Sequence, residues 1–259
     1  MLKTVLVNGE VTEKEFLEFP ARLYSNDKNY IRPLDKDINE VFDPKKNKFF
    51  RKGECERYLF EDEKGNTIGK VAVFINAKYD QKQPTGGIGF FDCINDQEVA
   101  NAIFDFCKNW HQSRGMEAMD GPINFGERDK FWGLLIEEFH EPLYGMNYNA
   151  PYYKVLMENY GFEVYFNQLC YGRKIHAEVS KVFTSMHERH MKNPDIKALP
   201  MKKNNLEKFA KDFTIVYNKA WANHGGGKQM EEAKTLKLFK SMKPVLNDHI
   251  SWFVYHQNE

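Results

Sequence analysis

The chain has 259 residues, 42% hydrophobic and 15% aromatic, enough for one large domain or two small ones. Lys plus Arg and Asp plus Glu both number 37, so the formal net charge is zero. That balance argues against a nucleic-acid partner, which a basic surplus would signal, and no apolar run approaches the roughly 20 residues of a membrane-spanning helix.

Cys55, Cys93, Cys107 and Cys170 form no C-x-x-C pair, and Cys93 and Cys107 fall on the apolar strand and helix faces, so core packing is expected of those two. The first residues turn acidic too soon for a signal peptide. Together these features predict a reduced, soluble, cytoplasmic protein with no membrane partner and no bound metal.

Residues 4–7 read as a short strand. Thr12 and Glu15 form a capping box for a helix that carries Phe16, Phe19, Leu23 and Tyr24, and Pro20 predicts a kink or a break in it. Residues 30–53 look irregular. Strands at 56–62 and 67–75 are joined by Glu63-Lys64-Gly65-Asn66, which is hairpin turn chemistry. Within 30–53, the basic run at 44–52 is read as a solvated loop.

The central stretch follows a polar loop. Residues 88–93 are an apolar run, a buried strand. Asn95 and Glu98 make a capping box, and Val99, Ile103, Phe106, Cys107 and Trp110 then recur at helical spacing. Gly115 ends that helix and residues 117–123 supply a second strand. Strand, helix and strand with short joints form a βαβ unit, so the two strands are expected to run parallel. Ligands of such units sit at the carboxyl ends of the strands, near the helix N-terminus.

Residues 125–149 are long for a loop, and 130–139 are expected to form a helix within them. A helix at 151–160 is ended by Gly161. Residues 162–175 alternate well enough for a strand or a strand pair. A helix at 178–191 puts Val179, Val182, Phe183 and Met186 on one face and is stopped by Asn193-Pro194. His187-Glu188-Arg189-His190 departs from zinc-protease spacing and is read as a surface helix face. Gly225-Gly226-Gly227-Lys228 lacks the context of a phosphate loop and is read as a linker.

The tail repeats the beginning. Residues 196–201 are strand-like, as 4–7 are. Asn205 takes the place of Thr12, and Phe209, Val216 and Tyr217 take those of Phe16, Leu23 and Tyr24. A strand at 250–255 then corresponds to the first strand of the hairpin. The pattern predicts a duplicated domain whose second copy stops at its first hairpin turn, with an apolar final strand that invites association, a homodimer included.

The element order, taken with several motifs, resembles the GNAT acyltransferase superfamily, which moves an acyl group from acyl-CoA to an amine. Asn149-Ala150-Pro151-Tyr152-Tyr153 through Leu156, Gly161 and Phe162 is similar to that superfamily's late helix and turn. Gln97-x-x-Ala100-x-Ala102 is similar to its CoA-binding Q/R-x-x-G-x-G/A motif. Asp120-Gly121-Pro122 and Asn124-Phe125 resemble tandem GNAT-like bacterial proteins. The implied fold class is α/β (α+β): a GNAT-like mixed twisted sheet with a central parallel strand-helix-strand unit. Residues 1–176 would be a GNAT-like domain, 177–195 a linker helix and 196–259 an incomplete second GNAT-like unit.

The resemblance implies acetyl-CoA or another acyl-CoA as co-substrate and a small-molecule amine, or an amino-acid-like compound, as acceptor. Cys93, Asn95, Gln97, Ala100, Ala102, Asn124 and Asn149 would line the cofactor site, with backbone N–H groups near Cys93 polarising the thioester. Met157 stands where many members place a proton-donating Tyr, and a thioether donates no proton. Tyr153, one turn earlier on the same face, is the replacement. Glu127 or Asp129, after the second central strand, would take a proton from the ammonium. Two departures point elsewhere: alanines replace the glycines that let backbone approach pyrophosphate, and Asp92, Asp96 and Glu98 surround the helix start. They keep open an alternative, a non-catalytic GNAT-like ligand- or protein-binding module with a degraded CoA site.

Overall fold

The computed structural model describes residues 2–76, 82–174, 178–221 and 229–257. The glycine run at 225–227 with Lys228 lies outside the described residues, as does residue 175 at the end of the expected strand pair. The chain falls into two compact units, Met1–Gln168 and Leu169–Glu259.

The first unit is built on one five-stranded mixed sheet in the order β1 (Lys3–Leu6), β2 (Gly53–Glu61), β3 (Thr67–Asn76), β4 (Thr85–Cys93), β5 (Ala118–Asp120). The first three pairings are antiparallel and β4–β5 is parallel, as the central βαβ pattern predicts. Between them runs α3 (Gln97–Gln112), which buries Ile103, Phe104, Cys107 and Trp110 against Val71, Val73, Ile88 and Phe91 of the sheet. On a second cluster, α1 (Glu10–Leu23) packs Phe16 with Val7 and Leu59, joined by Phe42 of α2 (Asp35–Phe42).

Local signals misplace several boundaries. Gly9, not Thr12, is the N-cap of α1; Thr12 sits three residues in, and its Oγ1 accepts the Gly9 N–H at 3.2 Å. Pro20 does not break the helix. A proline lacks the N–H that would bond the carbonyl four residues back, and that carbonyl, Phe16 O, takes the buried Lys70 ammonium instead, at 3.0 Å. Asp96, not Asn95, caps α3, its Oδ1 accepting from Glu98 N–H at 2.9 Å and Val99 N–H at 3.2 Å. An ionised carboxylate suits the positive helix end better than an amide. The stretch at 30–53 is not wholly irregular, since it holds α2 and a 3-10 turn at Lys48–Arg51.

Residues 130–139 form no helix. Phe131, Gly133 and Glu138 have φ of 49°, 89° and 54°. Their backbone groups bond outward instead: Gly133 N–H to Pro122 O at 2.9 Å, and Leu135 N–H to Asn149 Oδ1 at 2.8 Å. Residues 162–174 form no strand. Their alternation offers an apolar face, but a strand exists only against a partner, and no described segment pairs with them. Val164 and Tyr165 accordingly stand exposed. The helix expected at 151–160 is α4 (Tyr153–Tyr160), closed by Gly161 at φ 112°, where a left-handed residue is required.

A bulge shapes the end of β4. Lys70 pairs with Asp92 and Ala72 with Gly89, so Val71 alone opposes both Phe90 and Phe91. Phe90 adopts φ 49° there, its ring held by Phe42 at 5.0 Å and Phe131 at 5.2 Å. Ile88 and Phe91, three residues apart, consequently both belong to the α3 cluster. The last bond to the β5 side is Ile123 N–H to Ile88 O at 2.8 Å, and residues 89–93 continue beyond it.

The second unit starts with an exposed helix, α5 (Lys181–Met191). Next come β6 (Ile196–Pro200), α6 (Leu206–Trp221), α7 (Glu232–Met242) and β7 (Trp252–His256). β6 and β7 pair antiparallel from Ile196↔His256 to Pro200↔Trp252, as β1 and β2 do in the first unit. Phe209 is buried on α6 as Phe16 is on α1. Its core is small: Met201, Leu206, Phe209, Ala210 and Phe239. Thr214 Oγ1 donates to Thr235 Oγ1 at 2.8 Å, tying α6 to α7.

Candidate active site

Where β4 outruns its pairing with the β5 side, α4 supplies two tyrosines. Tyr153 Oη accepts the Cys93 backbone N–H at 2.8 Å, and Tyr152 Oη donates to Cys93 O at 2.7 Å. One turn of helix start therefore satisfies both main-chain groups of the last β4 residue.

Behind Tyr153 lies a buried polar cluster. Tyr24, at the end of α1, donates to Asp92 Oδ1 at 2.9 Å and stands 2.9 Å from Tyr153 Oη. Tyr153 Oη is 3.3 Å from the same Asp92 oxygen, so its own proton points there. Lys70 Nζ sits 3.2 Å from Asp92 Oδ2 and 4.3 Å above the Phe16 ring. Lys70 and Asp92 are 2% and 7% exposed, which makes this an ion pair removed from water. Burial pushes Asp92 up and Lys70 down, each toward its neutral form, and their mutual attraction offsets only part of that. Burial, and then the Asp92 charge, raises Tyr153 well above the usual phenol range, with the same order of causes at Tyr24. Both hydroxyls stay protonated at neutral pH and are fixed as donors.

The expected site residues divide into three groups. Cys93 and Tyr153 are brought together, and Gln97 joins them through α4, its Nε2 donating to Leu156 O at 3.0 Å. Asn159 Nδ2 in turn donates to Gln97 Oε1 at 3.0 Å, so Gln97 clamps α3 to α4. Asn95 is exposed before the cap, Ala100 is fully buried under α3 and Ala102 is half-buried. Asn149 is buried and holds both backbone groups of Leu135, its Nδ2 donating to Leu135 O at 3.0 Å. Asn124 is buried with its Oδ1 unpartnered among the described residues. Glu127 and Asp129 face solvent, and Glu127 pairs with Lys48 at 2.6 Å. No hydrogen bond or ion pair among the described residues links either of them to Tyr153.

Lys70 and Tyr24 escape a reading of the sequence. The signal for Lys70 was a lone charge inside the apolar strand run Gly69-Lys70-Val71-Ala72-Val73. Burial also pushes the Cys93 thiol up to about 12 and raises Cys107 and Cys55, so none of these three is a ready nucleophile. Cys170 is exposed. Among the described residues no cluster of His, Cys, Asp and Glu could hold a metal, and no helix is long and apolar enough to cross a membrane.

A mixed sheet with one parallel βαβ unit, bulged and extended past its partner at β4, with helices on both sides, is the GNAT acyltransferase fold. A solved GCN5-related glucosamine N-acetyltransferase region of a fungal multi-domain GH3 beta-N-acetylglucosaminidase matches all of this chain and 26% of its own, at TM-score 0.50 and 9% identity. No protein-family model matches the sequence. Two curated relatives do: a protein of Caulobacter vibrioides named bacterial ceramide synthase, 27% identical over 97% of this chain, and protein YghO of Escherichia coli, 23% identical over 96%. The chain spans 66% and 63% of the length of those relatives.

Proposed function

We propose that the first unit is an N-acyltransferase site taking an acyl group from acyl-CoA, with the amine of a long-chain amino alcohol as acceptor. The observation that carries the reaction class is Tyr153: a phenol held protonated by burial and Asp92, placed where β4 outruns its pairing. The acceptor class comes from the Caulobacter relative, whose name denotes synthesis of a ceramide, the amide of a fatty acid with such an amine.

In this reading the amine lone pair attacks the thioester carbonyl carbon, the C–N bond forms and the C–S bond breaks. The departing thiolate takes the Tyr153 proton, in the role that a Tyr at position 157 would fill. Entry of the thioester exchanges the Tyr153 hydroxyl on the Cys93 N–H for its carbonyl oxygen, so the same N–H polarises it. Glu127 or Asp129, both at the solvent edge after β5, takes the ammonium proton through water.

A specific observation favours the second reading, a binding module without catalysis. Asp96 already occupies the N–H groups of Glu98 and Val99, the donors that would hold a pyrophosphate at the start of α3. Calorimetric titration with acetyl-CoA and with a long-chain acyl-CoA separates the two readings. Micromolar binding, about −8 kcal/mol, followed by mass-spectrometric detection of N-acyl sphinganine in an assay with that amine, is the expected result. Absence of binding to either thioester overturns the enzyme reading. Binding without any amide product overturns the acceptor class.

A further inference from the structure

Helix α5 (Lys181–Met191) buries none of its residues. Three of its four apolar side chains nevertheless fall on one face: Val182, Phe183 and Met186 lie at helical spacing, with Val179 just before the first turn, while Met191 sits on the far side at the helix end. Val179, Val182 and Phe183 are 61%, 62% and 61% exposed. Leu169 and Tyr171, earlier in the same unit, are also exposed. A helix with this patterning gains nothing by facing water, whereas taking such side chains out of water is favourable.

Charge selects the occupant. The described residues from Arg173 to Lys192 carry five cations, Arg173, Lys174, Lys181, Arg189 and Lys192, against Glu178 and Glu188. The whole chain has zero net charge, so this is a local excess. On the helical wheel Lys181 and Lys192 lie opposite the apolar face and Arg189 flanks it next to Val182, positions from which long cationic stems reach outward past a buried face. A symmetric pairing of two copies through this face would use its apolar side chains but leave Lys181 and Lys192, on the far side, without an anionic partner. An anionic lipid surface meets both features: acyl chains take the apolar face and headgroup phosphates the cations.

We infer that α5 is an interfacial helix that docks the protein on anionic membranes, lying along the surface rather than crossing it. This runs counter to the expectation of no membrane partner, and it rests on the helix itself, independent of the reaction proposed for the first unit. It predicts contact with lipid whether or not acyl-CoA binds.

The test is co-sedimentation of the full chain with vesicles of phosphatidylglycerol and phosphatidylcholine, compared with phosphatidylcholine alone. Binding is expected only with the anionic lipid and should weaken as salt rises. F183D and the double variant K181E/R189E should each lower the bound fraction at least ten-fold, and because these side chains are exposed, thermal melting should stay unchanged. Failure to sediment with anionic vesicles overturns the inference, as does F183D binding like the parent. A dimer in sedimentation velocity that F183D dissociates also overturns it, by assigning the face to a second copy.

Discussion

The Tyr153 phenol stands 2.8 Å from the Cys93 backbone nitrogen and accepts its proton, so a side chain of α4 completes the ladder that β5 leaves unfinished. Tyr152 does the reciprocal service for the Cys93 carbonyl at 2.7 Å. The two tyrosines differ in burial, Tyr153 being 1% exposed and Tyr152 only half-buried, and their loss should differ accordingly.

Tyr153→Phe removes the hydroxyl that accepts the buried Cys93 N–H and one donor to Asp92, and should lower stability by about 1–3 kcal/mol. Tyr152→Phe strips one hydrogen bond from the Cys93 carbonyl at a half-buried side chain and leaves Asp92 its donors, and should lower it by about 1 kcal/mol. Urea denaturation of both variants checks the order; equal losses would mean that the Cys93 N–H finds water.

The Lys70–Asp92 pair should behave as a unit. Lys70→Met strands a carboxylate and Asp92→Leu strands an ammonium, each expected to remove about 3–5 kcal/mol. The double variant should recover most of that loss, because two apolar groups leave no uncompensated charge. A double-mutant cycle measures it, and additive losses would contradict a coupled pair.

Glu56 predicts the acid limb of stability. Desolvation raises this carboxyl, but the Tyr58 hydroxyl at 2.7 Å, the Trp110 indole N–H at 2.6 Å and the Arg114 charge outweigh it, so it titrates below the usual range. A depressed carboxyl contributes stability above its unfolded value of about 4.3 and loses it as pH falls through the folded one. Glu56→Gln should therefore cost about 1 kcal/mol at pH 7, and the gap to the parent should close below about pH 4. A gap that widens in acid would reverse the sign.

Hydrogen exchange should separate the two units. Amides of α3 lie over a core that includes the fully buried Ile103, Phe104 and Cys107, whereas the second unit rests on five buried apolar residues and a two-stranded sheet. Amides of β6 and β7 should exchange at least ten-fold faster than those of α3 between Ile103 and Trp110. Equal protection would show that the second unit is far better held than its own contacts imply.

The central βαβ unit was legible because its signals are local: an apolar run, a polar cap and a helical period all fall within one stretch. The tail's first strand, the helix that follows it and its last strand were legible through their likeness to the start of the chain. What the sequence hid is tertiary. Nothing in the neighbourhood of Pro20 says that the carbonyl it leaves free will be met by Lys70, fifty residues on in a different element. Nothing around residues 130–139 says that Asn149 will hold Leu135 in an extended frame and prevent a helix. The bulge at Phe90 is likewise invisible, yet it sets the register that faces Asp92 toward Lys70. The candidate site was found by its strand end and its tyrosine, while the buried partners of that tyrosine were not.

The distribution of the four cysteines turns the chain into its own labelling reagent. Cys93 and Cys107 are buried and Cys55 is half-buried, the ionisation of all three thiols is suppressed by desolvation, and Cys170 faces solvent. A maleimide fluorophore or nitroxide added to the folded protein would attach at one place, near the start of the second unit, without any cysteine being engineered away. Colorimetric thiol counting would read one group before denaturant and four after it.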